Sequence, residues 1–205
     1  MIERREFLAL GGLSLSALAG CSGGAFERTE MQEGEEIVDA PMEPPSEATT
    51  DYEIRSVRVP GEETAVSIGD GDREHSRGLD FVLDRSDVDT LQFDVEPDDS
   101  DPIRSFLETT DFDAESVVIH QRPIEECYER RIEYVIAEPD RYRVQFCRRL
   151  RDATVPCSAG VAEMEVVLIR VPHAYADRPS RTGRGQRSRC RHGHLSGTET
   201  ATEVE

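Results

Sequence analysis

Between residues 52 and 172 apolar and polar positions alternate in short β-branched runs, each broken by Asp, Gly or Pro, the pattern of strands joined by tight turns. It predicts strands at 52–59, 64–68, 79–83, 90–95, 116–124, 131–137, 141–147 and 163–171. One short helix is expected at 102–108, where Asp101 is placed to cap it, Pro102 suits the first turn, and Ile103, Phe106 and Leu107 share a face. Seven or eight short strands with one helix over about 120 residues point to a mainly β domain, an antiparallel β-sandwich or open barrel.

The clearest local unit is a hairpin at 131–147 that turns at Glu138-Pro139-Asp140-Arg141. Ile132, Tyr134 and Ile136 are expected on one face together with Tyr142, Val144 and Phe146, so that face must be covered. Arg131, Glu133, Arg141, Arg143 and Gln145 fall on the other, where cross-strand charge pairs suit solvent. The segment 163–171 is apolar on both faces, with Val166 and Leu168 against Val167 and Ile169, as a central strand requires.

Outside 52–172 the alternation stops. Residues 1–20 have a charged head and then an uncharged small-and-apolar run from Ala9 to Gly20, the anatomy of an export signal, and the run is too short to span a bilayer. Arg4-Arg5 followed by Phe7-Leu8 resembles the twin-arginine motif, and Leu18-Ala19-Gly20-Cys21 resembles a lipobox. That resemblance implies cleavage after Gly20 and a diacylglycerol-type lipid on Cys21, which would hold the protein firmly on the membrane without spanning it. Residues 21–51, rich in Gly, Glu, Pro, Ser and Thr, are expected to form a disordered acidic spacer.

Charge sharpens the picture. The chain has 43 Asp and Glu against 24 basic residues, all of them Arg, for a net charge of −19, and it contains no Trp. Self-repulsion on this scale is relieved only where salt shortens the Debye length to a few ångströms, about 3 Å at 1 M. Such a surface is unsuited to nucleic acid or to anionic lipid headgroups, both of which need a positive face. Within this acidic chain the stretch 178–191 holds six Arg and no acid. Two readings fit residues 173–205: a disordered tail, or out-of-frame coding from a GC-rich gene.

With Cys21 assigned to lipid, Cys127, Cys147, Cys157 and Cys190 remain, and in an exported chain disulfides are expected among them. If Pro139-Asp140 is a two-residue turn, Cys147 faces Ile132, and Cys127 and Cys147 lie roughly 16 Å apart along the ribbon, too far to pair. Cys147–Cys157 is the favoured bridge and Cys127–Cys157 the second, either contributing roughly 2–4 kcal/mol.

Candidate chemistry is sparse. His120 is the one histidine within the predicted strands that could serve a thiol as base, and structural cysteines are the simpler reading. Cys190, His192 and His194 are metal-ligand types without the spacing of a built site, so no metal or other cofactor is expected. The acidic runs at 70–72 and 94–101 do not complete a calcium-loop pattern. No nucleophile elbow, phosphate loop or dinucleotide fingerprint occurs, and no enzymatic activity is expected.

The runs 112–119, 144–148 and 167–172, with Cys127-Tyr128, resemble uncharacterised haloarchaeal lipoproteins exported by the twin-arginine route. The layout is also similar to small secreted β-domains of the protease-complex-subunit type, except that Glu125-Glu126-Cys127-Tyr128 replaces their glycine-rich turn. The function expected is that of a lipid-anchored, non-catalytic binding or interaction module on the extracytoplasmic face of the membrane, with an envelope protein as partner. The alternative is a small-ligand or metal-binding protein associated with a transporter.

Overall fold

A computed structural model describes residues 43–69 and 79–191, together with the backbone of 198–199. In chain order the elements are β1 (Glu53–Pro60), β2 (Val66–Ile68), β3 (Leu79–Val82), α1 (Arg85–Asp89), β4 (Leu91–Phe93), α2 (Pro97–Glu108), β5 (Ser116–Glu125), β6 (Tyr128–Glu138), β7 (Arg141–Leu150), β8 (Ala162–Val171), β9 (Arg181–Arg187) and β10 (Thr198–Glu199). All eight expected strands form. Two helices replace the single one expected, and β9 and β10 are additions.

The strands build a five-stranded sheet in the order β10-β1-β8-β5-β3, a three-stranded sheet β6-β7-β9 and the small pair β2-β4. Most neighbours are antiparallel; β1 with β10 and β7 with β9 are parallel. The protein is mainly β, as expected, and its sheets do not close into a barrel. As its two apolar faces foretold, β8 is central, with odd and even residues feeding different cores. Val167, Ile169 and Val171 meet Tyr142, Val144 and Phe146 of the facing sheet, whereas Val166 and Leu168 pack with Ile103, Phe106 and Leu107 of α2. Each such fully buried aliphatic side chain stabilises by roughly 1.5–3 kcal/mol, so two cores serve one central sheet.

α2 starts five residues earlier than the expected 102, because Pro97 supplies the first turn and Asp98 and Asp99 favour the positive helix N-terminus. Pro102 therefore lies inside the helix and forgoes one main-chain hydrogen bond. No basic residue stands in the last turn. Cations come instead from elsewhere: Arg170 of β8 donates to the Phe106 carbonyl at 2.8 Å, and Arg85 of α1 to the Glu108 carbonyl at 2.9 Å. On the same side Gln121 of β5 accepts from the Ala65 and Val66 amides and donates to the Val66 carbonyl, clamping β2 against the sheet.

The hairpin corrects one expectation. From Glu138↔Arg141 to Tyr134↔Gln145 the register is the one predicted, but at Glu133 it slips by a residue, so Arg131, not Ile132, faces Cys147. An extra residue in one strand reverses the parity of everything beyond it. Ile132, beyond the slip and opposite Phe146, therefore joins Val135 in the core between the sheets, while Tyr134 and Ile136, opposite Gln145 and Arg143 in the predicted register, are buried on the opposite face. Glu133 is buried there as well, and Arg187 of β9 donates to its carboxylate at 3.0 Å.

The boundary expected at 172 is also moved. Tyr175 is buried in the core between the sheets, its amide donates to the Ser116 hydroxyl at 3.0 Å, and its hydroxyl donates to the Arg141 carbonyl at 3.2 Å. β9 then runs parallel to β7 from Arg141↔Arg181 to Cys147↔Arg187. Residues 173–191 are thus part of the domain rather than a disordered tail. At the other end, Thr49 donates its amide to the Val135 carbonyl at 2.8 Å, so pairing also begins before residue 52, inside the stretch read as spacer.

Candidate functional site

Of the residues singled out in the sequence, Arg4, Arg5, Phe7, Leu8, Leu18, Ala19, Gly20 and Cys21 lie outside the described residues, as do His192, His194 and the acidic run 70–72. The four domain cysteines are all placed. They pair as Cys127–Cys157 and Cys147–Cys190, with Cα separations of 5.1 and 4.8 Å. The favoured Cys147–Cys157 bridge does not form, and the second-ranked Cys127–Cys157 does. The loop after β7 folds back on the base of the hairpin, where Glu126 donates its amide to the Val161 carbonyl and its carboxylate accepts from the Ser158 amide. Cys157 is thereby delivered to Cys127. Cys147 lies opposite Arg187, three residues before Cys190.

These bridges remove the candidate thiol chemistry. Neither a nucleophile nor a thiolate metal ligand survives at Cys127, Cys147, Cys157 or Cys190, and among the described residues no group of three or more His, Cys, Asp or Glu could hold a metal ion. The acidic run 94–101 supplies the first turn of α2.

What the fold assembles instead is a charged seam at one end of the space between the sheets. Strand pairing sets Arg58, Glu165 and Arg122 side by side on β1, β8 and β5. Glu165 is buried; it accepts from Arg58 at 3.2 Å and, at short range, from Arg130 of the facing sheet. Arg130 also donates to the carbonyls of Arg122 and Pro123, at 3.3 and 2.7 Å, and from Nε to Oε1 of Gln186 at 3.1 Å. Burial lowers the Arg130 pKa, and the Glu165 carboxylate offsets part of that shift.

Next along the seam is His120 on β5. It is buried, and its Nε2 lies 3.1 Å from the Tyr142 hydroxyl of β7. Its Nδ1 has no hydrogen-bond partner. Burial pushes the imidazole pKa down to about 3, helped by the charges of Arg184 and Arg130, so the ring is neutral. Burial likewise raises the Tyr142 pKa, so the phenol keeps its proton. His120, Arg122, Arg130, Phe146, Val167, Arg184 and Gln186 line a small recess here, of about 10 Å³. A second, shallower groove of about 230 Å³ runs along β7 and β9 between Arg141, Arg143, Arg181 and Arg184.

β9 brings the basic stretch of the sequence onto this sheet. Arg181 pairs with Asp140 at 3.3 Å and Arg187 with Glu133, while Arg178 stacks over the Phe81 ring. The run of six Arg without an acid was legible in the sequence; its position against His120 and Arg130 was not, because it depends on a parallel pairing across an intervening strand. Comparison with protein family models, with curated proteins and with solved structures finds no match.

Proposed function

We propose that this chain is a non-catalytic binding module of the cell envelope, held by a lipid at Cys21 on the outer face of the membrane, and that β9 docks an acidic segment of an envelope protein. One observation carries the reading. In a chain of net charge −19, six Arg and no acid are gathered at 178–191, which includes an edge strand of the three-stranded sheet. At high salt long-range attraction is screened, and what survives is contact between fixed forks and carboxylates, the geometry that guanidinium provides and ammonium does not. Two disulfides fit an oxidising compartment, in agreement with the export motifs. Nucleic acid remains an unsuited partner, since the chain as a whole repels a polyanion.

The test is crosslinking in native membranes at high salt, comparing the full chain with Arg181→Glu/Arg189→Glu and with Cys21→Ser. One specific envelope partner is expected with the parent chain and none with the charge-reversed variant, while Cys21→Ser is released from the membrane in folded form. Equal capture by parent and charge-reversed chains would sink the docking reading. Retention of Cys21→Ser in the membrane fraction would sink the anchor.

A second reading, a small-ligand protein serving a transporter, draws on the recess beside His120. The groove on β7 and β9, at about 230 Å³, falls below the roughly 300–1,000 Å³ of ordinary ligand pockets. The metal form of this reading finds no support at Cys190, whose sulfur is bonded to Cys147.

A further inference from the structure

We infer that the recess beside His120 binds a single-atom anion of the halide class. The inference concerns an ion within the domain and does not depend on a partner docking at β9.

The protonation of His120 comes first. A neutral imidazole has one donor and one acceptor, and the buried Tyr142 hydroxyl, 3.1 Å from Nε2, has its own proton to place. If Nε2 carried the proton, both the phenol proton and the Nδ1 lone pair would be stranded in the interior. If the phenol donates to Nε2, only Nδ1–H is left over. The second arrangement strands fewer groups, and an unsatisfied buried polar group costs roughly 1–3 kcal/mol. Nδ1 is therefore a donor without an acceptor, on a side chain 97% buried.

The other polar groups around the recess are donors too. Arg130 can only donate, so the Gln186 atom it meets at 3.1 Å is the carbonyl oxygen, and the Gln186 amide nitrogen is left to donate elsewhere. Arg122 and Arg184 add guanidinium groups, and the side chain of Arg122 has no ion-pair partner among the described residues. Mutual repulsion is felt: burial, and then the charges of Arg122 and Arg130, lower the Arg184 pKa. Glu165 is shared between Arg58 and Arg130, and Arg58 also meets Glu163 at 3.3 Å, so neither carboxylate is left over to face the recess.

Size and walls select the anion. A volume of about 10 Å³ has room for about one water-sized centre, which excludes a tetrahedral oxyanion or a whole carboxylate. Phe146 and Val167 form an apolar wall, which suits a weakly hydrated monoatomic charge.

Two measurements on the full chain test this. In crystals grown with bromide replacing chloride, a single anomalous peak is expected within hydrogen-bond reach of His120 Nδ1. A water without anomalous signal there would overturn the proposal. In solution, at fixed ionic strength, replacing gluconate by chloride is expected to raise the melting temperature saturably, by about 3–6 °C at ten times Kd. Arg122→Gln/Arg184→Gln, which leaves both disulfides and the His120–Tyr142 pair in place, should lose that rise. Identical melting temperatures of the parent chain in the two salts, or an undiminished rise in the variant, would also overturn it.

Discussion

Glu165 of β8 and Arg130 of β6 form a buried ion pair across the gap between the two sheets, with relative side-chain exposures of 4% and 6%. The pair cross-links sheets that are otherwise joined mainly by apolar contact, and it holds the polar end of the interlayer in one arrangement. Its first consequence concerns stability. Glu165→Gln removes the carboxylate partner of the buried Arg130 side chain and leaves the half-buried Arg58 only Glu163. A loss of about 3–5 kcal/mol is expected, read from the urea midpoint at unchanged slope. A loss below about 1 kcal/mol would show that water already reaches the seam.

His120 makes stability depend on pH. Its folded pKa of about 3 lies below the ordinary 6.5, so the unfolded chain binds the proton first as pH falls. The contribution is complete above about pH 6.5 and is lost toward pH 3, at up to 1.36 kcal/mol per pH unit. Between pH 7.5 and pH 5, in halide-free buffer, the parent chain should lose about 2 kcal/mol more than His120→Gln. Parallel pH profiles would show that the ring is not held neutral.

Two glycines of β9 should respond differently to the same change. A Cβ at Gly185 would overlap Oε1 of the buried Gln145, whose amide nitrogen donates to the Phe146 carbonyl, so there is little freedom to move aside. Gly185→Ala should cost about 1–3 kcal/mol. At Gly183 the nearest atom is Cγ of Arg143 at 3.7 Å, ordinary contact, and Gly183→Ala should be neutral or slightly stabilising. Equal melting temperatures for the two variants would refute the placement of β9 beside β7.

Cys190 ties the end of β9 to β7. Cys190→Ser is expected to destabilise by roughly 2–4 kcal/mol and to speed hydrogen exchange of the Arg181–Arg187 amides ahead of those in β8. Uniform acceleration across both strands would mean that β9 unfolds only with the whole domain.

The strands that face a core announced themselves by β-branched runs, alternating where one face is buried and continuously apolar in the central 163–171, because a pleated strand turns successive residues to opposite faces. β9 gave no such sign. As an edge strand it brings arginines and glycines to the facing strand rather than apolar residues to a core, and that composition reads like disorder. The helix at 97–108 was legible on its buried face, and its earlier start follows from Pro97 and two acids that carry no apolar signal.

The chain by itself determined the strand pattern, the acidic balance and the exclusion of a Cys127–Cys147 bridge. All of these rest on local spacing or composition. Only the tertiary structure decided which cysteines meet, which face of β6 enters the core after the bulge at Glu133, and that Arg122, Arg130 and Arg184 converge beside His120. Those relations join residues up to 64 positions apart, through a one-residue register slip and a parallel crossover, and neither leaves a trace in local periodicity.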